Sequence, residues 1–380
     1  MSWPVDRGVP ALSWPARRHE AYGPVARGGS CRVDGWRGER MVKSISRFIV
    51  GACVAAGLAA LGCDNGGAPA AGGKPKLAYI TNGVAPFWTI AEKGVIDGAK
   101  EHNVEVSVVM PSDVNDQLHR VEDLLIRGVD GIAISPIDAE NQVPLLNKAA
   151  AKTKLITQDS DAPKSDRIVY IGIDNYVAGR MAGQLVKEAI PGGGKVAILV
   201  GRLEGDNARK RRQGVLDELL DRQDTSAGND PLNQELKGAK YTIVATLTDQ
   251  IDAAKAKSNA EDMMSAHPDL VGLIGLNAYH TPALLEAVKQ AGKMSAIQVV
   301  GFDEQDATLR AIQDGEVVGT VVQNPYMYGK ESVRVLAALV RGDNSVVPQD
   351  KFISLPARQI RKGNLDAFWA DLKQKAGKQQ

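Results

Sequence analysis

The sequence predicts an α/β protein built from two lobes, each a doubly wound parallel sheet. From Lys76 to about residue 341, short runs rich in Val, Ile and Leu alternate with amphipathic stretches. Runs without a helical period are typical of strands buried on both faces, and strict alternation with helices favours parallel strands. Ten such runs are more than one small sheet usually holds, so we expect two sheets.

Each element is placed by its own pattern. The expected strands lie at 77–81, 104–109, 131–135, 154–157, 168–173, 195–200, 241–245, 270–275, 297–301 and 317–322. The expected helices lie near 88–102, 115–127, 141–151, 176–189, 206–220, 251–266, 281–291, 305–314 and 326–341. Residues 221–240 are polar and broken by Gly and Pro, which indicates a surface insertion between a helix and a strand.

The first strand leads into a loop that is suited to binding. The run 77–81 ends in Asn82-Gly83, a turn signal, and Pro86-Phe87-Trp88 then begins a helical pattern. In doubly wound sheets, ligands bind beyond the carboxyl ends of the strands, where this loop lies. We therefore expect Phe87 and Trp88 to stack on a flat, partly apolar ligand. The alternative is that both rings only pack the first helix onto the sheet.

The N-terminal part has the pattern of an exported protein. Residues 1–40 show no periodicity and are interpreted as a non-native extension, whereas 41–62 combine a basic start with an apolar run, as in a signal peptide. Ala60-Leu61-Gly62-Cys63 resembles a bacterial lipobox, which predicts a lipid on Cys63, followed by a flexible tether over 63–75. The alternatives are an ordinary cleaved signal or a single anchor helix.

Composition argues against several other classes of function. The net charge is +1 with both signs interspersed, so no nucleic-acid partner is expected. The three cysteines all precede residue 64, and the five histidines lack metal-ligand spacing, so we expect no disulfide framework, metal or cofactor. His280 is expected at the surface of a helix start, with contact to the cleft as the alternative.

Several predicted strands end in polar residues, and their order is informative. Besides Pro86-Phe87-Trp88, these motifs are Asp159, Asp174-Asn175 before Gly179, Ala208-Arg209, Asn277, Asp303 and Gln323-Asn324-Pro325. In this order and spacing, the set resembles the ribose-binding-protein family of periplasmic sugar-binding proteins. The resemblance covers about residues 76–360.

The resemblance implies the periplasmic binding protein-like I fold, a clamp whose two lobes are joined by three hinge crossings. The crossings would fall near Asp174, Gln323 and Leu355, and the lobes would close on a ligand between them. The first lobe is then 76–174 plus 324–354, and the second is 175–323 plus 355–380. The residues assigned to the hinge are Asp174, Asn175 and Asn324.

The resemblance also implies a ligand site formed by Phe87, Trp88, Asp159, Arg209, Asn277, Asp303 and Gln323. Aromatic rings suit the apolar C–H faces of a sugar, while charged groups form the stronger hydrogen bonds to its hydroxyls. Other roles remain open: strand-end caps for the aspartates, an N-cap for Asn277 and a purely hinge role for Gln323. Arg209 belongs to the run Arg209-Lys210-Arg211-Arg212, whose other members are expected to be surface charges.

Two departures from the family pattern bear on the ligand. Ribose binders of this family typically carry Asn before the aromatic pair and Arg after the first aspartate, and here these positions are Ala85 and Ser160. Several hydroxyl contacts of the first lobe would thereby be lost. We therefore expect another pentose, a hexose, a sugar alcohol or a sugar-like signal.

The resulting hypothesis is a monomeric periplasmic lipoprotein that captures a monosaccharide and delivers it to an ABC permease without chemistry. One alternative is a sugar- or autoinducer-sensing component of a membrane sensor. Another is a repressor-type effector domain, which would need a preceding helix-turn-helix where the export signal lies. An α/β enzyme is a third, because fold does not fix function, although no nucleophile or cofactor loop is identifiable.

Overall fold

The computed structural model describes residues 73–225 and 230–376. The predictions for the N-terminal extension, the signal peptide and Cys63 therefore lie outside the described residues. Within the described part, no helix combines the length and the apolar character that crossing a membrane requires.

The described chain alternates between strands and helices. The strands are β1 Lys76–Ile80, β2 Glu105–Val109, β3 Gly131–Ile134, β4 Lys154–Gln158, β5 Tyr170–Gly172, β6 Gly194–Val200, β7 Leu236–Lys237, β8 Tyr241–Thr248, β9 Leu270–Gly275, β10 Gln298–Phe302, β11 Gly319–Val322, β12 Phe352–Ser354 and β13 Arg358–Arg361. The helices are α1 Pro86–Glu101, α2 Val114–Ile126, α3 Val143–Ala150, α4 Asn175–Ala189, α5 Asp206–Leu219, α6 Ala253–Ala266, α7 His280–Gln290, α8 Asp306–Asp314, α9 Pro325–Val340 and α10 Leu365–Lys375, the last preceded by a 3-10 turn, Lys362–Asn364.

The ten expected strands and nine expected helices are confirmed, with ends that differ by a few residues. The strands β7, β12 and β13 and the helix α10 are not predicted by the sequence patterns. The three strands are short, and their side chains are mostly half-buried or exposed, so they lack the continuous apolar run that marks a central strand.

The strands form two sheets with the same central order. One sheet runs β2-β1-β3-β4-β5-β12 and is entirely parallel. The other runs β7-β8-β6-β9-β10-β11-β13 and is parallel except at its two edges. In each sheet the strand order reverses at the first strand in sequence, β1 or β6, which is where doubly wound sheets bind ligands. The predicted fold class is thereby confirmed.

The chain passes between the two sheets three times. After β5, helix α4 packs against the core of the second sheet, and after β11, helix α9 packs against the first sheet. β12 then joins the first sheet and β13 the second. This division of the strands supports the predicted lobe boundaries, which remain a proposal.

Glycines allow the helices of each lobe to cross closely. A β-carbon on Gly94 of α1 would lie 1.9 Å from the carbonyl oxygen of Tyr326 in α9. In the second lobe, a β-carbon on Gly214 of α5 would lie 2.1 Å from the carbonyl oxygen of Tyr176 in α4. Both distances are far below van der Waals contact. The second crossing seats α5 against the start of α4, next to the cleft.

Candidate functional site

A cavity of about 160 Å³ lies between the carboxyl ends of the two sheets. Typical ligand pockets measure roughly 300–1,000 Å³, so this one suits a small molecule. Of the seven predicted ligand residues, six line it and Arg209 does not. The lining is Asn82, Gly83, Val84, Ala85, Phe87, Trp88, Pro136, Ile137, Asp159, Arg202, Gly205, Asn207, Ala208, Arg211, Ile251, Asn277, Ala278, Tyr279, Asp303 and Gln323.

Asp159 and Asp303 occupy equivalent places in the two lobes. Each follows the fourth strand of its central sheet and has a left-handed backbone, with φ of 59° and 63°. The N–H of Asp159 donates to the carbonyl oxygen of Ile171 at 3.1 Å, and that of Asp303 donates to Val321 at 2.6 Å. The neighbouring strand therefore fixes each aspartate, and neither acts as the N-cap of a helix.

The carboxylate of Asp159 is held by donors from both lobes. Its Oδ2 accepts from Ser135 Oγ at 2.8 Å and from Asn82 Nδ2 at 3.2 Å, both in the first lobe. Asn207 Nδ2, at the start of α5 in the second lobe, lies 3.4 Å from the same oxygen. Asp159 is thus a point where the two lobes meet.

The carboxylate of Asp303 is positioned by Gln323. The Gln323 Nε2 donates to Asp303 Oδ1 at 2.7 Å, and Tyr328 OH donates to Gln323 Oε1 at 2.9 Å. Gln323 therefore orients Asp303 besides lining the cavity itself. Gln323 lies at the second predicted hinge crossing. A backbone rotation there would therefore move the side chain that positions the Asp303 carboxylate.

Burial raises the pKa of both aspartates, and neighbouring charges and hydrogen bonds modify this effect. Burial raises the pKa of Asp159 to about 6, opposed by the charge of Arg211 and the hydrogen bond from Ser135, while the charge of Asp303 raises it further. Burial also raises the pKa of Asp303, opposed by Arg211 and Gln323. The two carboxyl groups and the Arg211 guanidinium therefore share one electrostatic environment.

The prediction for Arg209 is wrong as to placement, and Arg211 occupies the position expected of it. Arg209 Nη1 donates to the carbonyl oxygens of Leu203 and Glu204, beside the cavity. Arg211 is 3% exposed and lies with its guanidinium 3.8 Å from the centre of the Phe302 ring. Because a helix turns about 100° per residue, the side chains of Arg209 and Arg211 point in directions about 200° from each other. Only one of them can therefore face the cavity.

Arg211 is fixed by three further hydrogen bonds. Its Nε and Nη2 donate to Asn175 Oδ1 at 3.3 and 2.9 Å, and its Nη1 donates to the carbonyl oxygen of Leu276 at 2.9 Å. These bonds use part of the five N–H donors that a guanidinium carries, which leaves others for a ligand.

Arg212 is also buried, contrary to the expectation of a surface charge. Its Nε donates to Thr246 Oγ1 at 2.8 Å, and its Nη1 and Nη2 donate to the carbonyl oxygens of Asp230 and Pro231, each at 2.9 Å. The expected surface insertion thus covers this side of α5 and buries the guanidinium. Lys210, the remaining member of the run, is half-buried and pairs with Asp206.

The two aromatic residues after β1 play different parts. Trp88 is 4% exposed, packs in the first-lobe core and donates from Nε1 to Asn82 Oδ1 at 3.1 Å. Phe87 is half-buried and meets Trp88 edge to face, with ring centres 4.9 Å apart. Both rings line the cavity; Phe87 is the more exposed of the two, while Trp88 packs against it and holds Asn82.

The wall formed by the second lobe includes Asn277, as predicted, together with Tyr279 and Ile251. Asn277 Oδ1 accepts from the N–H of Gly201 at 3.0 Å. The expectation of a surface position for His280 is wrong, because its side chain is fully buried against Asp249.

The predicted hinge residues lie at helix starts. Asp174 caps α4 by accepting from the N–H groups of Tyr176 and Val177, each at 3.0 Å. Asn324 caps α9 by accepting from Met327 at 3.3 Å. Asn175 holds Arg211 through its side-chain oxygen. Their role in hinge motion stays a prediction.

Residues 78–344 match the periplasmic binding protein domain. The chain belongs to the periplasmic binding protein family. This family consists of proteins that bind substrates without converting them, so the binding protein is not an enzyme. Within the described residues, no group of three or more His, Cys, Asp or Glu side chains could hold a metal ion.

Curated relatives of this binding protein have names that refer to sugars and sugar alcohols. The ribose import binding protein RbsB of Salmonella typhimurium is 28% identical over 263 residues, covering 68% of this chain and 82% of the relative. The xylitol-binding protein of Mycolicibacterium smegmatis is 27% identical over 328 residues, covering 83% and 86%.

A solved structure shares the fold over most of its length. The solute-binding protein of an ABC transporter from Burkholderia graminis, in complex with D-arabinose, is 28% identical with a TM-score of 0.69. The match covers 77% of this chain and 97% of that protein.

Several residues that line the cavity of this binding protein were not predicted, although the sequence carries a signal for some of them. Asn207 and Arg211 are four residues apart, so both lie on one face of α5. Asn82 was noted only as a turn residue. No local pattern marked Tyr279 or Ile251, which enter the wall through contacts distant in sequence.

Proposed function

We propose that the protein binds a neutral monosaccharide or sugar alcohol between its lobes and delivers it to an ABC-type importer in the membrane. The observation that carries this proposal is the pair Asp159 and Asp303, contributed by different lobes to one cavity and accompanied by Arg211 and Phe87. A polyol that bonds to both carboxylates holds the two lobes together, which gives a binding protein its closed state.

The size and charge of the cavity favour a small neutral ligand. Its volume of about 160 Å³ leaves no room for a long chain of sugar units. Two buried carboxyl groups next to Arg211 would repel an anionic ligand more than a neutral one. Hydroxyl groups, which both donate and accept, match carboxylates and a guanidinium at once.

The choice among polyols depends on the first lobe. Ala85 offers no side-chain hydrogen bond, and the Ser160 hydroxyl is fully buried with no partner among the described residues. The names of the relatives mention ribose and xylitol, and the solved structure holds D-arabinose. We propose a pentose other than ribose, or the corresponding sugar alcohol, as the first candidates.

A ligand screen tests the proposal directly. The purified protein is heated with pentoses, hexoses and sugar alcohols, and hits are measured by titration calorimetry. A ligand at 1,000 times its dissociation constant adds about 4 kcal/mol to the free energy of unfolding, which raises the melting temperature clearly. If no polyol in the panel raises it, the assignment of a sugar ligand is wrong.

The proposal extends to where the protein acts. The sequence of residues 41–63 supports export and a lipid on Cys63, which would keep the protein at the membrane beside the importer. Replacing Cys63→Ser should release the protein from the membrane fraction. Continued membrane association of this variant would contradict the lipid anchor.

An uptake experiment distinguishes a role in transport from a role in sensing. Cells that lack the protein should take up the radiolabelled ligand more slowly, and the intact gene should restore the rate. Normal uptake in its absence, with loss of a transcriptional response to the same ligand, would favour the sensor role instead.

A further inference from the structure

A fully buried pair, Asp249 and His280, lies behind the second-lobe wall of the cavity. Neither residue lines the cavity, and both side chains have 0% exposure. His280 Nε2 lies 2.6 Å from Asp249 Oδ2. Burying an ionisable pair is costly unless each polar atom finds a partner, so the partners of this pair indicate its purpose.

The hydrogen bonds from the pair lead to three residues that line the cavity. Asn277 donates its N–H to His280 Nδ1 at 3.0 Å. Ile251 donates its N–H to Asp249 Oδ1 at 3.0 Å, and the hydroxyl of Tyr279 donates to the same oxygen. The pair is therefore connected to two separate segments of the cavity wall, one at Ile251 and one at residues 277–279.

These bonds define the tautomer of His280. Because Nδ1 accepts from a backbone N–H, the proton of the neutral ring must be on Nε2. From there it donates to the Asp249 carboxylate. A ring with its proton on Nδ1 would face the Asn277 N–H with another donor and would break the contact.

The backbone next to Asp249 is strained, which shows that the position is enforced. Gln250 and Ile251 both have left-handed backbones, with φ of 60° and 66°. For a β-branched residue such as Ile this conformation is a genuine outlier. The bond from Ile251 N–H to Asp249, and that from Gln250 N–H to the carbonyl oxygen of Gly201 at 2.9 Å, hold the turn against the cavity.

We propose that Asp249 and His280 form a positioning pair that fixes Asn277 for ligand binding. The inference rests on the proposed function. The pair itself does not touch the ligand: His280 holds the Asn277 backbone, so that its side chain lies on the wall, and Asp249 holds His280 in the required tautomer. The pair also anchors Tyr279 and Ile251 beside it.

A double-mutant cycle in the full chain tests this role. Gln places an N–H near the position of His280 Nε2 but no acceptor at Nδ1, so His280→Gln keeps the bond to Asp249 and loses the one to Asn277. We expect this variant to bind the sugar identified in the screen about five- to tenfold more weakly, the loss of roughly one hydrogen bond. In an Asn277→Ala background, the same substitution should cause no further loss.

Asp217→Asn is the matched control. Asp217 is fully buried in α5, accepts from Tyr176 OH at 2.8 Å and from Gln213 Nε2 at 3.0 Å, and does not line the cavity. This variant should lower the melting temperature while the dissociation constant stays within about twofold of the wild type. Equal weakening by Asp217→Asn, or an equal effect of His280→Gln in both backgrounds, would overturn the positioning role.

The tautomer gives a second readout that does not depend on the variant folding. In a long-range nitrogen–proton NMR spectrum of the wild-type chain, His280 should carry its proton on Nε2, with Nδ1 unprotonated. A proton on Nδ1 would overturn the inference.

Failure of this inference can be told apart from failure of the proposed function. If the wild-type chain binds no polyol, the proposed function fails and this inference fails with it. Normal binding by His280→Gln overturns the inference alone.

Discussion

Asp159 and Asp303 each sit in a left-handed backbone that aspartate tolerates better than most residues. The next strand holds their main chain, so the carboxylates are presented to the cavity without any rearrangement. Preorganised acceptors lose little conformational entropy when a ligand binds. For this reason we expect the aspartates to contribute more to affinity than the surrounding neutral amides.

Asp303→Asn should weaken sugar binding about 10- to 100-fold, because a hydrogen bond to a charged group contributes about 1.5–3 kcal/mol. Asn keeps the shape and can still accept from Gln323, so the fold should be unaffected. Titration calorimetry measures the affinity and circular dichroism the fold. Asp314→Asn, at an exposed position at the end of α8, is the control and should bind as the wild type does.

The raised pKa of Asp159 predicts how the sugar-free protein responds to pH. Its folded pKa of about 6 lies above the ordinary value of 3.8, so ionisation destabilises the fold. Stability attributable to this group is therefore lowest above pH 6 and is regained as the pH falls through 6. By linkage, the free energy of unfolding should rise by roughly 1 kcal/mol between pH 7 and pH 5 relative to Asp159→Asn.

Urea denaturation of the wild type and Asp159→Asn at both pH values measures this difference. Other titrating groups contribute equally to both proteins, so the comparison isolates Asp159. Identical pH dependence in the two proteins would show that Asp159 is not destabilised by ionisation in the folded state.

At the scale of helices, the crossing of α4 and α5 determines which residues reach the cavity. Gly179 and Gly214 remove the side chains at the contact, so the backbones approach closely and Arg211 can bond to Asn175. A β-carbon on Gly179 would lie 2.0 Å from the carbonyl oxygen of Arg211. The crossing therefore couples helix packing directly to the site.

Gly214→Ala should force α5 away from α4 and destabilise the protein by about 1–3 kcal/mol, as expected for overpacking. Because α5 carries Asn207 and Arg211, sugar affinity should fall as well. Thermal denaturation and calorimetry measure the two effects. Gly192→Ala is the control, since a β-carbon there has no atom within 4 Å, and its melting temperature should barely change.

At the scale of the whole molecule, the lobes touch where residues 204–207 of the second lobe meet the loops that follow β3 and β4. Asn207 in the second lobe reaches Asp159 in the first, and the N–H of Ala139 donates to the carbonyl oxygen of Glu204 at 3.2 Å. A hydrogen bond of this kind contributes only about 0.5–1.5 kcal/mol. We therefore expect the lobes to separate without a ligand and to close when hydroxyl groups bridge the carboxylates.

Small-angle X-ray scattering of the wild type should show a smaller radius of gyration after saturating sugar is added. Asp303→Asn, measured at the same sugar concentration, should show a smaller decrease because less of it is bound. An unchanged radius of gyration, for a sugar that calorimetry shows to bind, would contradict closure of the clamp.

The sequence by itself determined the fold class and the central strands and helices of both sheets, but not β7, β12, β13 and α10. Apolar runs and helical periods are local properties, and polar residues at strand ends meet at one edge of a parallel sheet whatever the details of packing. Asp159, Asn277 and Asp303 stand at such strand ends, and the resemblance to the ribose-binding-protein family implied their place in a ligand site. The two doubly wound sheets follow from the same local patterns.

Only the tertiary structure decided which arginine faces the cavity and which polar residues are buried. Arg211 replaces Arg209 because the α4–α5 crossing sets the rotation of α5, and that rotation is not encoded in the local pattern. Arg212 is buried by residues 230–231, and His280 by Asp249, 31 residues away. Burial of a charged or polar side chain depends on partners distant in sequence, so a local pattern that looks solvated can lie inside the protein.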